Sequence, residues 1–65
     1  MDAQSQMTPS LIEQRRMRLG LKTAALCADA LVDPATYWRM LGGANTKDIT
    51  LRRLDASLKR FEERQ

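Results

Sequence analysis

The sequence contains no histidine and a single cysteine, Cys27. Without histidine, the chain lacks the commonest metal ligand and the usual general base near neutral pH. One cysteine excludes an internal disulfide. The carboxylates are scattered through basic sequence and no pair declares itself as acid and base, so the chain is expected not to be an enzyme and to need no cofactor or metal. Aromatics are scarce too: one tryptophan, one tyrosine and one phenylalanine. No apolar run approaches the roughly 20 residues that a helix needs to cross a bilayer. The opening "MDAQSQMTPS" is polar, with neither the basic n-region nor the apolar h-region of a signal peptide. The expectation is a cytoplasmic protein with no membrane partner.

What remains suits one small folded domain. Sixty-five residues, 43% hydrophobic and 29% charged, make an ordinary globular composition. A chain this short buries only about 60% of the surface its unfolded form exposes and cannot divide that core further. A net charge of +3 and a pI near 9.6 favour an anionic partner, although charge balance alone is a weak signal.

Proline, glycine and polar caps divide the chain into helices. Residues 1–7 carry no periodicity and read as a disordered tail before a domain spanning residues 8–65. The first helix starts within two residues of Pro9. Either Ser10 and Glu13 form a capping box, or Thr8 caps and Pro9 takes the first helical position. It runs through "LIEQRRMRL" and stops at Gly20. A second helix, "KTAALCADA", places Leu26, Cys27 and Ala30 on one side, where Cys27 reads as a small packing residue in preference to a reactive thiol. Asp33 and Pro34 then open a third helix, Pro34 to Leu41, closed by Gly42-Gly43. The last segment, "DITLRRLDASLKRFEERQ", has neither glycine nor proline. Its apolar residues at 51, 54, 58 and 61 keep helical spacing, and Asp48 is its expected N-cap. No strand pattern or repeat is present, and the expected fold class is all-α: a compact domain of four helices, or five if the last segment divides.

The third helix holds two of the three aromatics side by side. It is only about 12 Å long and unstable alone, so packing must hold it. Each residue advances about 100° round the axis. Tyr37, Met40 and Leu41 therefore share the face turned to the core, and Ala35, Thr36, Trp38 and Arg39 are left for the outside. Tyr37 is the expected anchor and Trp38 the exposed ring. Two readings of the outer face stay open. It is a reading surface for DNA, with arginine matched to guanine, and alanine and threonine to a thymine methyl. Alternatively, Trp38 wraps over the edge of the core and Arg39 is a solvated charge.

Taken together, Gly20 to Gly43 resembles the helix-turn-helix of the lambda-repressor-like (Cro/repressor, Xre) family. The resemblance rests on Gly20-Leu21 ahead of a short helix, the Leu26-Cys27 step within it, Val32-Asp33 at the turn, then Thr36-Tyr37-Trp38-Arg39-Met40 and Gly43, without insertions. Arg16 stands four residues before Gly20, as the family's first-helix arginine does. "ITLRRLDASL" is similar to the family's fourth helix, and the likeness covers about residues 10 to 58. It implies a sequence-specific double-stranded DNA-binding transcriptional regulator, a repressor of phage or plasmid type. The helix at Lys22 and Thr23 would lie across the DNA backbone. Pro34, Ala35, Thr36, Trp38 and Arg39 would face the major groove, and Asn45, Thr46 and Lys47 would meet phosphates unless their loop is simply a polar turn. Such proteins commonly act in pairs on inverted half-sites. The outer face of the last helix near Phe61 is the best candidate for a homodimer seam, unless pairing occurs only on DNA or the chain binds as a monomer.

Four departures from the family pattern carry their own expectations. Leu41 stands where an acidic partner for the first-helix arginine is usual, so Arg16 is expected to lack that partner and to be a surface charge. Leu31 replaces the usual glycine or asparagine of the turn. Since a leucine at positive φ costs about 1–2 kcal/mol, a rebuilt turn is expected, with Leu31 filling a core position for which Ala30 is too small. Trp38 is larger than the usual small polar residue, which raises a rival reading: a protein-interaction module, antirepressor or antitoxin-like, that uses Trp38 as its anchor for a regulatory protein partner. The family's fifth helix is absent or fused into the fourth.

Overall fold

The structure, a computed structural model, describes residues 8–64. The segment read as a disordered tail, residues 1–7, lies outside the described residues. Four helices follow one another, α1 (Pro9–Arg18), α2 (Thr23–Ala30), α3 (Pro34–Leu41) and α4 (Asp48–Glu63), with no strand among the described residues. The fold class is all-α, as expected. Of the two alternatives for the last segment the undivided one is formed, since α4 is a single 16-residue helix.

The helix starts fall into two kinds. In α1, Thr8 is the cap, its Oγ1 accepting from the Leu11 N–H at 3.3 Å, with Pro9 at the first helical position. The capping box from Ser10 does not form, because the helix starts from Thr8 and Ser10 is already its second residue. In α3, Asp33 accepts from the Ala35 N–H at 2.9 Å, and Pro34 follows. By contrast, α2 and α4 start from Lys22 and Lys47, neither of which supplies a side-chain cap. Asp48, the expected cap of α4, is instead its first residue. There its carboxylate faces the positive end of the helix dipole and pairs with Arg52 one turn on, at 2.7 Å.

The turn between α2 and α3 corrects the expectation for Leu31. That residue adopts φ 60° and ψ 44°, and its side chain is 79% exposed, while the smaller Ala30 is buried in the core. The Val32 N–H bonds the Cys27 carbonyl at 2.9 Å and the Leu31 N–H the Ala28 carbonyl at 3.4 Å. This closure demands a left-handed residue, whatever its side chain, and it swings Val32 into the core. Leu31 thus bears conformational strain with no burial in return. Leu31→Gly is expected to raise stability by about 0.5–1 kcal/mol, the relief of strain less the added freedom of the unfolded chain. In a domain of this size that is a rise of about 2–8 °C in Tm. A lower Tm by circular dichroism would contradict the assignment of strain.

One apolar cluster joins all four helices: Ile12 from α1, Leu26, Cys27 and Ala30 from α2, Val32 from the turn, Tyr37 and Met40 from α3, and Leu54 and Leu58 from α4. Burial pushes the Cys27 thiol up, and the negative field of Asp33 adds to this. The cysteine is accordingly a packing residue, not a thiolate. Phe61 is half-buried, with the Arg64 guanidinium 4.9 Å from the centre of its ring. The core of α4 faces α1 and α2, and α3 rests on the same two helices.

Polar clamps tie these pairs together. Arg15 of α1 reaches Asp55 at 2.7 Å and both oxygens of Glu62 at 2.9 Å on α4. Asp29 of α2 accepts from the buried Ser57 hydroxyl and from Arg60 of α4. Arg16 lacks an acidic partner at position 41, as expected, but it is not the surface charge expected of it. It holds Glu13 through two bonds of 2.7 and 2.8 Å and donates to the Leu21 carbonyl at 2.6 Å. The acidic residue absent at position 41 is replaced by one three positions before Arg16 on its own helix.

These clamps give a pH dependence of definite sign. Glu13 is held below its ordinary value by Arg16, Asp29 by Ser57 and then Arg60, and Glu62 by Arg15. A depressed carboxylate adds stability above its unfolded pKa and loses it as pH falls through the folded one. Thermal unfolding followed by circular dichroism should therefore give a nearly constant Tm from pH 7 to about pH 5 and a falling one below about pH 4. Glu13→Gln should shallow that fall, and an acid limb unchanged by that substitution would contradict the Glu13 clamp.

Candidate functional site

The rotation of α3 decides which side chains are offered to a partner. Tyr37 and Met40 are buried and Leu41 half-buried, all on the face that rests on the core. Pro34, Ala35, Trp38 and Arg39 are exposed, and Thr36 is half-buried at the flank. Ala35 sits between Trp38 and Arg39 round the helix, a small residue that leaves a notch between a flat ring and a cation.

The two large side chains differ in how firmly they are held. Trp38 is 55% exposed yet stands edge-on to Tyr37, ring centres 5.8 Å apart and planes at 79°, a favoured aromatic geometry. Tyr37 is locked in turn, buried and donating its hydroxyl proton to Glu13 Oε1 at 2.6 Å. Burial first, and then the neighbouring Glu13 charge, push the Tyr37 hydroxyl far above its ordinary range, so it remains a donor. Arg39 has only a long contact, Nη2 to Thr36 Oγ1 at 3.4 Å. No carboxylate pairs with it among the described residues.

Beside this face lies an open cleft of about 480 Å³ lined by Thr36, Arg39, Met40, Ala44, Asn45, Thr46, Lys47 and Thr50. It brings together residues from the end of α3, the following loop and the first turn of α4. Arg39, Asn45, Thr46 and Lys47, assigned to two kinds of contact from the sequence, line one hollow. Thr46 turns its hydroxyl to the Ala44 carbonyl at 3.2 Å. Thr50 and Ala44 were not foreseen. Thr50 enters the cleft because α4 begins from Lys47, which puts position 50 in its opening turn.

Lys22 and Thr23 stand apart from that cleft, at the start of α2. Lys22 is exposed and Thr23 half-buried. Both helices that begin from a lysine leave their first N–H groups without a side-chain acceptor. At the start of α2, where no acidic residue stands in the first turn, a cation at the positive end of the dipole is locally unfavourable, and a phosphate oxygen placed there would satisfy the N–H groups and the ammonium together; at the start of α4 the Asp48 carboxylate already faces that end. Neither Lys22 nor Lys47 is paired with a carboxylate among the described residues.

No group of three or more histidine, cysteine or acidic side chains among the described residues is gathered to hold a metal ion. The carboxylates with depressed values are those engaged in the clamps. No described helix is long and apolar enough to cross a membrane. Compared with protein-family models, curated proteins and solved structures, the chain matches none.

Proposed function

We propose that this chain is a sequence-specific double-stranded DNA-binding protein, a small transcriptional regulator of the lambda-repressor-like helix-turn-helix kind acting as a repressor by occupying an operator. In this reading α3 enters the major groove, about 12 Å wide, with Pro34, Ala35, Thr36, Trp38 and Arg39 toward the bases. Lys22 and Thr23 at the start of α2, and Asn45, Thr46 and Lys47 before α4, meet phosphates. The observation that carries it is the outer face of α3, where Arg39, with no carboxylate partner among the described residues, adjoins a cleft that also holds Lys47. The lysine start of α2, with no acidic residue in its first turn, adds a place for a phosphate oxygen.

A rival reading draws on the exposed Trp38 and Leu31, two apolar side chains suited to a protein partner on the same scaffold. Titration of labelled duplex DNA at two salt concentrations separates the two. Release of ions from about two to four phosphates lowers affinity by about 10- to 100-fold between roughly 50 and 200 mM salt. An affinity indifferent to salt, or no binding to any duplex in a random pool, would overturn the DNA reading.

A further inference from the structure

We propose that Trp38 reads the C5-methyl group of a pyrimidine, thymine in ordinary duplex, beside the guanine met by Arg39. The inference rests on the reading of α3 as the major-groove helix and adds to it what that face selects. An exposed indole offers a broad apolar surface and a single N–H donor. The edges of bases in the major groove present hydrogen-bond donors and acceptors, with one apolar feature among them, the thymine methyl. That methyl is the complement of the larger part of the Trp38 surface.

The ring is also braced on one side. Arg16 holds Glu13, Glu13 accepts from the Tyr37 hydroxyl, and the buried Tyr37 ring takes Trp38 edge-on. The Tyr37 ring is thereby held, and its edge-on contact favours one orientation of the exposed indole, which reduces the freedom surrendered on binding. Arg39 lies across the Ala35 notch with only its 3.4 Å contact to Thr36. It is free to extend to the O6 and N7 acceptors of guanine, the commonest arginine contact. Asp33, the nearest carboxylate in the chain, is turned back on its own helix through the Ala35 N–H. An apolar plate braced by Tyr37 beside an arginine without a carboxylate partner selects a methyl-bearing pyrimidine close to a guanine.

The test uses the full chain, duplexes selected from a random pool, and the replacement of each thymine in turn by uracil, which removes only the methyl. At one or two positions uracil is expected to weaken the wild-type protein about fourfold, the worth of one buried methyl. Trp38→Phe keeps that sensitivity, and Trp38→Ala loses it at the same positions. Because Trp38 is the one tryptophan, its emission reports the contact directly and is expected to shift when the thymine duplex binds. Wild-type affinity unchanged by uracil at every position overturns the proposal. So does unaltered emission on binding, or the same uracil sensitivity in a folded Trp38→Ala. Should Trp38→Ala lose its helical signal, wild type, Trp38→Phe and the emission decide. Binding is measured by anisotropy of labelled DNA, independent of the indole, so absence of salt-dependent binding marks failure of the α3 reading itself. Intact DNA binding without methyl sensitivity marks failure of this proposal alone.

Discussion

Tyr37→Ala is expected to cost about 3–5 kcal/mol, the range for truncating a large buried aromatic. A domain of this length has a total stability on the order of 3–10 kcal/mol, so the variant loses about a third of it or more, and a total at the lower end of that range leaves it unfolded near 37 °C. Three losses coincide at this position: a fully buried ring in the core of four helices, the donor to Glu13, and the edge on which Trp38 stands. Tyr37→Phe separates them. It keeps the ring and the support of Trp38 and removes only the hydroxyl. The expected cost is about 1.5 kcal/mol, at the low end for a bond to a charged acceptor, because Glu13 retains Arg16 and some contact with water. Urea unfolding of both variants checks the pair. A Tyr37→Ala midpoint close to that of Tyr37→Phe would mean that the hydroxyl, not the ring, holds α3 in place.

The helices were legible because their boundaries are written in residues with few conformational options. Pro9, Pro34, Asp33, Gly20 and the Gly42-Gly43 pair each fix a local backbone state, and helix α3 has the limits that those residues mark. The rotation of α3 was legible for a related reason: its one strongly apolar face admits one orientation against a core. Leu31 went astray because a side-chain preference was weighed against strain without the hydrogen-bond closure that decides the matter. The Val32-to-Cys27 bond and the burial of Val32 outweigh about 1–2 kcal/mol. The start of α4 was misplaced by one residue for a similar reason, since aspartate serves either as a cap or inside the first turn.

The clamps between helices could not be read from the chain. Arg15 and Glu62 lie 47 positions apart, and Ser57 and Asp29 are 28 apart. Such pairs exist only once the helices are packed. They matter to the candidate site by subtraction. Arg15, Arg16, Arg52, Lys59 and Arg60 are drawn into ion pairs, leaving Arg18, Lys22, Arg39, Lys47, Arg53 and Arg64 without a carboxylate partner among the described residues. The division of the basic residues between structure and solvent narrows the candidates, and of those six only Arg39 and Lys47 share a cleft. The Glu13 pairing adds a second link, because the same carboxylate that satisfies Arg16 holds the tyrosine that supports the exposed ring.

Arg39→Ala and Lys47→Ala are expected to weaken DNA binding in different ways, although both residues line the same cleft. A guanidinium bound to guanine through two bonds discriminates one base pair, so Arg39→Ala should lower the preference at one position by about 1–3 kcal/mol, or roughly 5- to 150-fold. In the proposed DNA-bound arrangement the Lys47 ammonium would meet a phosphate whatever the sequence. Lys47→Ala should thus weaken binding evenly over all duplexes and reduce the slope of log affinity against log salt by about one. Stability should hardly change in either case, since neither side chain enters an ion pair and both are exposed. The measurement is a pool of duplexes differing at each position, equilibrated with each folded variant at two salt concentrations. Loss of affinity without any change in preference for Arg39→Ala would place that residue on the backbone and leave the selectivity to Trp38 and its neighbours.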